Sequence, residues 1–207
     1  VGNAAGLLAA EYGEYINRHE AVVRFNLAPV PGNLTAHAGT RTTFMVLGHK
    51  PSVELCCDGE TGATTQKDLR RVEYVLWHPP GEVSGEITAA CGRRNLGNRV
   101  HQISWENLER GAAAMGAVRA DLQRLGHGAR FKSWLQLTSG AHAALLFSQM
   151  CDSVSLYGFT TFVEHSQDQF WGRRVKLKSG TLAHDWAMES RVWRLLHLAK
   201  AINICSA

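Results

Sequence analysis

Short apolar runs alternate along this chain with stretches whose apolar residues recur every three or four positions. Residues 7–16 have helix-forming composition, and Ala21-Val22-Val23-Arg24-Phe25 reads as a short buried strand ending at Asn26 and the breaker Pro29. Residues 48–70 hold Gly, Pro, Asp and Thr with no sustained period and read as mostly loop. Residues 71–77 predict a strand, halted by Pro79-Pro80-Gly81, whereas 81–103 fit neither period clearly. Over 106–125, the spacing of Leu108, Ala112, Met115, Val118 and Leu122 predicts a helix.

The sharpest local pattern follows. Residues 131–137 predict a strand, Thr138-Ser139-Gly140 stands where a helix would be capped, 141–150 predict that helix, and 153–159 a second strand. This is a βαβ unit, whose crossover is almost always right-handed. A last helix is predicted over 185–204, with Val192, Leu195, Leu196, Ala199 and Ile202 on one face. Strands alternating with helices, without a repeat or a linker, imply one α/β domain with a largely parallel sheet.

Composition narrows the class. The chain has 207 residues, 45% of them hydrophobic and 19% charged, which excludes disordered and low-complexity scaffolds. A net charge of +4 spread along the chain lacks the basic stripe of a nucleic-acid binder, so no nucleic-acid partner is expected. No run of about 18 apolar residues is present. Val1 is not a start methionine and no signal-like segment precedes it, so the chain is expected to be cut from something longer. Five cysteines leave at least one thiol without an intrachain partner. Cys56-Cys57 lacks the second spaced pair of a zinc site, and the cysteines read as ordinary or partly oxidised thiols. One sequon, Asn33-Leu34-Thr35, nudges the reading toward secretion.

Two clusters of small residues fall at strand–helix junctions, Gly2-Asn3-Ala4-Ala5-Gly6 and Thr138-Ser139-Gly140. Helix starts there would offer unpaired N–H groups to a phosphate, at the edge of a parallel sheet where ligands bind. Neither cluster is a G-x-G-x-x-G fingerprint or a Walker loop, so dinucleotide and ATP/GTP sites lose support. The ten histidines form no H-E-x-x-H, and no D-x-D pair is present, which disfavours a metal-dependent mechanism. His142 reads as a partly buried surface or core residue. His184 precedes the last helix beside Asp185, a good N-cap, and the positive potential there should keep it neutral and basic. A neutral imidazole in a cleft suits a general base. Glu189 lies five residues on, roughly 500° of helix or about 140° around the axis, so the pair is not read as sharing a face. It could simply complement the helix dipole.

Taken in order, several segments carry a resemblance. Val1-Gly2-Asn3, Tyr12-Gly13-Glu14 with Ile16 and His19, Val22 to Pro29, and Gly39-Thr40-Arg41-Thr42-Thr43 look like the long sialyl motif of eukaryotic sialyltransferases. Thr138-Ser139-Gly140, continuing to Cys151-Asp152-Ser153-Val154 and Tyr157-Gly158-Phe159, resembles their short motif. His165 to Asp168 is similar to the third motif, and His184 with Glu189 fits the very short H-x4-E motif. All four stand in the family's order across nearly the whole chain. Ala4, Thr160, Ser166, Gln167 and the Thr-Ser order at 138–139 depart from the usual pattern.

The resemblance implies a Rossmann-like, GT-A-variant α/β glycosyltransferase domain over residues 1–207, truncated at its N-terminus, with a mostly parallel sheet flanked by helices. It implies inverting transfer of sialic acid from CMP-sialic acid to a glycan hydroxyl on a glycoprotein or glycolipid, with no metal or other cofactor. His184 would take the acceptor proton and His165 would stabilise the departing CMP phosphate. Asn3, Asn26, Thr138, Ser139 and Gly140 would bind the CMP donor. The residue matched by Cys151 pairs in the family with a Cys just upstream of this Val1. The family setting is the Golgi lumen, in a type II membrane protein whose anchor lies outside this chain. Two alternatives stay open: transfer of another CMP-activated 2-keto-3-deoxy sugar, and a non-catalytic nucleotide-sugar- or glycan-binding homologue. Acceptor choice would lie in the loops of residues 48–104.

Overall fold

The computed structural model describes residues 1–57, 71–78, 82–94, 99–127, 136–162, 169–171 and 184–206. Four parallel strands, β1 (Val23–Phe25), β2 (Phe44–Leu47), β3 (Glu73–Leu76) and β4 (Val100–Gln102), lie side by side in chain order. Their registers pair Phe25 with Val46, Val46 with Val75, and Leu76 with Gln102. The central strands β2 and β3 read as continuous apolar runs because helices cover both faces. Met45, Leu47, Tyr74 and Leu76 face α3 (His49–Cys56) and α4 (Glu82–Arg93), while Phe25, Val46, Val75 and Trp77 pack with Leu108, Ala143 and Phe147. The latter belong to α5 (Trp105–Leu122) and α6 (Ser139–Phe147). The α/β class and mostly parallel sheet expected from the sequence are what the chain adopts.

Several boundaries differ from expectation, each for a physical reason. The 7–16 segment divides into a 3-10 turn (Ala5–Ala9) and α1 (Gly13–Arg18). Residues 49–56, read as loop, are helical: Pro51 falls in the first turn of α3, where a missing N–H costs nothing. That helix buries Ser52, Leu55 and Cys56, and Cys56 is bonded to Cys91 of α4 with Cα atoms 4.5 Å apart. The ambiguous 81–103 stretch supplies α4 and β4.

The predicted helix over 185–204 is shorter. It is α7 (Trp186–Leu198), and it stops because Lys200 adopts a left-handed conformation with φ 59°. Lys200 N–H then donates to His197 O and Ala201 N–H to Leu196 O, the Schellman pattern that satisfies the last carbonyls. The chain turns back into β6 (Asn203–Ile204), which pairs in parallel with β5 (Ser155–Leu156). So the strand expected over 153–159 pairs with the chain's end, and most of its proposed partner, residues 131–135, lies outside the described residues. Met115, Leu137, Ala141, Met188, Val192 and Trp193 close a second core over this small sheet.

Residues 2–4 are extended rather than a helix start. Gly2 N–H donates to Tyr157 O at 2.6 Å and Ala4 N–H to Gly158 O at 3.0 Å. Gly158 has φ 66°, a left-handed conformation suited to glycine, and this lets the two backbones meet. Among the described residues no helix is long and apolar enough to cross a membrane.

Candidate active site

A cleft of about 260 Å³ opens beside the carboxyl end of the sheet. Its lining includes Asn3, Asn26, Thr138, Ser139, Gly140 and His184, six residues from four distant places in the sequence that were singled out as site residues. His165, the seventh, lies outside the described residues. Phe25, Phe159, Trp186, Glu189 and Trp193 line the same space.

The polar wall is built where three strands end. Asn26 follows β1, in a left-handed conformation (φ 53°) that Asn tolerates better than most side chains. Its Oδ1 accepts from Gly48 N–H, after β2, at 2.9 Å and from Ser139 Oγ at 3.3 Å. Ser139 Oγ in turn accepts from Nε1 of Trp77, after β3, at 2.8 Å. With the Asn26 oxygen so held, its Nδ2 has no partner among the described residues. The Asn3 side chain is likewise without a hydrogen-bond partner among the described residues.

Thr138 caps α6 as the sequence predicts: Oγ1 accepts from Ala141 N–H at 3.1 Å. Glu189 adds a second layer. Its Oε1 accepts from Thr138 N–H at 2.9 Å and its Oε2 from the Thr138 hydroxyl at 2.7 Å, while the residue is 4% exposed. Hence the Thr138 hydroxyl is already engaged, and Thr138 shapes the cleft through position rather than through a free hydroxyl. The N–H groups of Ser139 and Gly140, ahead of the first α6 bond from His142 N–H to Thr138 O, are the donors this helix start leaves. A Cβ on Gly140 would lie 3.0 Å from the Phe159 ring, so a larger residue there would have to displace that ring by a few tenths of an ångström.

Glu189 is therefore not a surface complement to the helix dipole. Burial pushes its carboxyl up to about 7 against the opposing pull of both Thr138 bonds. The angular argument separating it from His184 also fails, since His184 precedes the helix and both line the cleft. Asp185 is the N-cap foreseen, accepting from Met188 N–H at 3.0 Å, and its other oxygen pairs with Arg119 at 3.4 Å. Burial raises the Asp185 carboxyl, with that N–H and Arg119 pulling the other way. His184 is held with Nδ1 facing Gln136 O at 3.2 Å. His142 is a core residue: it stacks on Trp77 with ring centroids 4.6 Å apart, and burial lowers its imidazole to about 4.

Aromatic rings line the same space. Phe25 meets Phe159 edge-on at 5.9 Å, and Phe159 meets Trp193 at 5.8 Å. Trp186, Glu189 and Trp193 stand at i, i+3 and i+7, on one side of α7. The sequence reading missed Trp186 and Trp193; their helical spacing from Glu189 was the available signal. Among the described residues no group of three or more His, Cys, Asp or Glu is placed to hold a metal.

The sequence model of Glycosyltransferase family 29 (sialyltransferase) matches residues 1–201. The chain belongs to that family. It is 27% identical over 167 residues to the Bos taurus protein named alpha-N-acetylgalactosaminide alpha-2,6-sialyltransferase 6, covering 76% of this chain and 46% of that one. It is 24% identical over 205 residues to the Arabidopsis thaliana protein named beta-1,6-galactosyltransferase GALT29A, covering 94% and 49%. The chain thus spans about half the length of these curated relatives. In three dimensions it is similar to a mammalian sialyltransferase crystallised with Gal-beta-1-3GalNAc-ortho-nitrophenol, with TM-score 0.62 and 18% identity over 100% of this chain and 67% of that one. That likeness bears on the fold, which this family 29 chain shares.

Proposed function

We propose that this family 29 chain transfers sialic acid from CMP-sialic acid to a hydroxyl of a glycan, with inversion and without a metal. The observation that carries the reading is the gathering of Asn3, Asn26, the α6 start and His184 around one cleft. The nucleotide lies along the polar wall, its phosphate toward the Ser139 and Gly140 N–H groups. The acceptor oxygen attacks the anomeric carbon as the bond from that carbon to the CMP phosphate oxygen breaks. CMP leaves with the electron pair, and the His184 imidazole takes the acceptor proton. Preorganised donors meeting the leaving-group charge supply several kcal/mol. On the family resemblance His165 joins them. The same reading sets the enzyme in the Golgi lumen, anchored through a segment outside these residues.

Melting the chain with CMP, with UMP and alone tests the donor site. CMP alone should raise the melting temperature, because a ligand of the native state stabilises it. A cooperative melt that CMP does not move would sink the assignment. His184→Ala should lower turnover by about 10²–10⁴-fold and keep the CMP shift; turnover at the wild-type level would remove His184 as the base. Absence of turnover in the wild type with the shift intact would favour a non-catalytic binding homologue. A second donor reading has a specific support, the galactosyltransferase name of the plant relative that aligns with 94% of this chain. Stabilisation by UMP in place of CMP, or transfer only from another CMP-activated 2-keto-3-deoxy sugar, would move the donor accordingly.

A further inference from the structure

Trp186 is the first residue of α7, two positions after His184, and its indole lines the cleft. Unlike Trp193, which is 3% exposed and built into the second core, Trp186 is half-buried and belongs to none of the packed clusters. Its ring centroid lies 6.1 Å from that of His184, tilted by 40°. Its Nε1–H has no hydrogen-bond partner among the described residues. A tryptophan buried for packing usually finds a partner for that N–H. Here a large apolar face and a spare donor border the space into which the base must reach.

The chemistry of a sugar fits this pair of features. One face of a galacto-configured pyranose presents several C–H groups together, because O4 is axial on the other side. Such a face stacks on an indole while ring hydroxyls point outward. The nucleotide has its own candidate partners among the other lining residues, at Asn3, Asn26 and the α6 start.

We propose that Trp186 is a specificity-determining residue of the acceptor subsite, stacking on the galacto-configured ring whose hydroxyl His184 deprotonates. This rests on the function proposed above for His184. With the polar wall occupied by CMP, the Trp186 face and the His184 ring together select acceptors that offer an apolar sugar face beside a free hydroxyl.

The test measures binding of Gal-beta-1-3GalNAc-ortho-nitrophenol by calorimetry to the CMP-loaded chain, for wild type, Trp186→Ala, Trp186→Leu and Trp186→Phe. Melting with and without CMP is recorded for each. Wild type should bind the disaccharide, and Ala and Leu should weaken it tenfold or more while the CMP shift is unchanged. Phe should retain most of the affinity. Leu keeps apolar bulk without an aromatic face, so it separates lost stacking from lost folding. Unchanged disaccharide affinity in both Ala and Leu, or no binding by wild type, would overturn the proposal. Loss of the CMP shift in Ala and Leu would overturn it too, by putting the indole over the nucleotide. A wild type that binds CMP and disaccharide without sialyl transfer would instead overturn the proposed reaction, leaving the Trp186 result standing.

Discussion

The two sides of the cleft are held in different ways. On the polar wall most side chains are held by hydrogen bonds: Trp77 by Ser139, Ser139 by Asn26, Asn26 by the Gly48 N–H, and Thr138 by Glu189 from a helix 51 positions away. At the lip, His184 and Trp186 are half-buried and meet each other at 6.1 Å, and the His184 contact to Gln136 O is at 3.2 Å. On the proposed function, a wall that receives a charged phosphate gains from fixed dipoles, which cost no reorganisation during the reaction. On the proposed function, the lip that meets the acceptor needs only a base and a flat face. Substitutions on the wall should therefore act on stability, and those at the lip on turnover.

The largest effect expected is at the lip. His184→Ala should lower kcat by about 10²–10⁴-fold, the usual contribution of a general base. Its melting temperature should stay within about a degree of wild type, because a partly exposed side chain away from the core changes stability by roughly 0.5 kcal/mol or less. An equal loss of stability would erase the contrast between lip and wall.

Next comes a contact remote from both. The Cys56–Cys91 bond ties α3 to α4 across 35 positions. By loop-closure entropy it contributes about 4 kcal/mol. Cys91→Ser should lower denaturant stability by that order and leave the fractional CMP affinity of the folded chain unchanged. A lost CMP site would mean that the α3–α4 face is coupled to the cleft.

Much of this arrangement was legible in the chain. The apolar runs gave β1 and β3, the three-four spacing gave α5, and Thr138 and Asp185 announced the starts of α6 and α7. What stayed hidden depends on approach in space. Pro51 reads as a breaker unless the preceding Gly48 is known to start a helix. Cys56 could not be matched to Cys91 by counting, and Lys200 occupies a helix stop where Gly or Asn is the usual signal. Glu189 looked like a dipole complement because nothing near it in sequence announces Thr138. The cleft residues, by contrast, were found through motif resemblance, with the helix-start argument supporting Thr138-Ser139-Gly140 and failing over Gly2 to Ala4, where the backbone is extended ahead of the 3-10 turn at Ala5–Ala9.

Glu189 sharpens the contrast through pH. Its carboxyl titrates near 7 when folded and near 4.5 ordinarily, so its contribution to stability is full below 4.5 and is lost as pH rises through 7. His142 acts oppositely: lowered from 6.5 to about 4, it favours folding above 6.5 and this is lost as pH falls through 4. Subtracting wild type from Glu189→Gln isolates the first. The variant should gain on wild type by about 3 kcal/mol between pH 4.5 and 7, from the cited displacement. Denaturant titrations across that range measure it, and a flat difference would show that Glu189 titrates as an ordinary carboxylate.

The smallest effect separates strain that the cleft uses from strain that it does not. Asn26 and Lys200 share a left-handed backbone, with φ 53° and 59°. At Asn26 the turn presents an amide to the cleft, whereas at Lys200 it only ends α7 and starts β6. Glycine adopts that conformation without the Cβ clash, although its unfolded chain is freer. Lys200→Gly should therefore stabilise the fold by about 0.5–1 kcal/mol with the CMP shift unchanged. Asn26→Gly should relieve the same backbone yet remove the Oδ1 acceptor shared by Gly48 and Ser139, and so weaken CMP binding. If both variants were stabilised with CMP binding intact, the left-handed turn at Asn26 would be a chain reversal like the one at Lys200, and the polar wall would owe its nucleotide site to other residues.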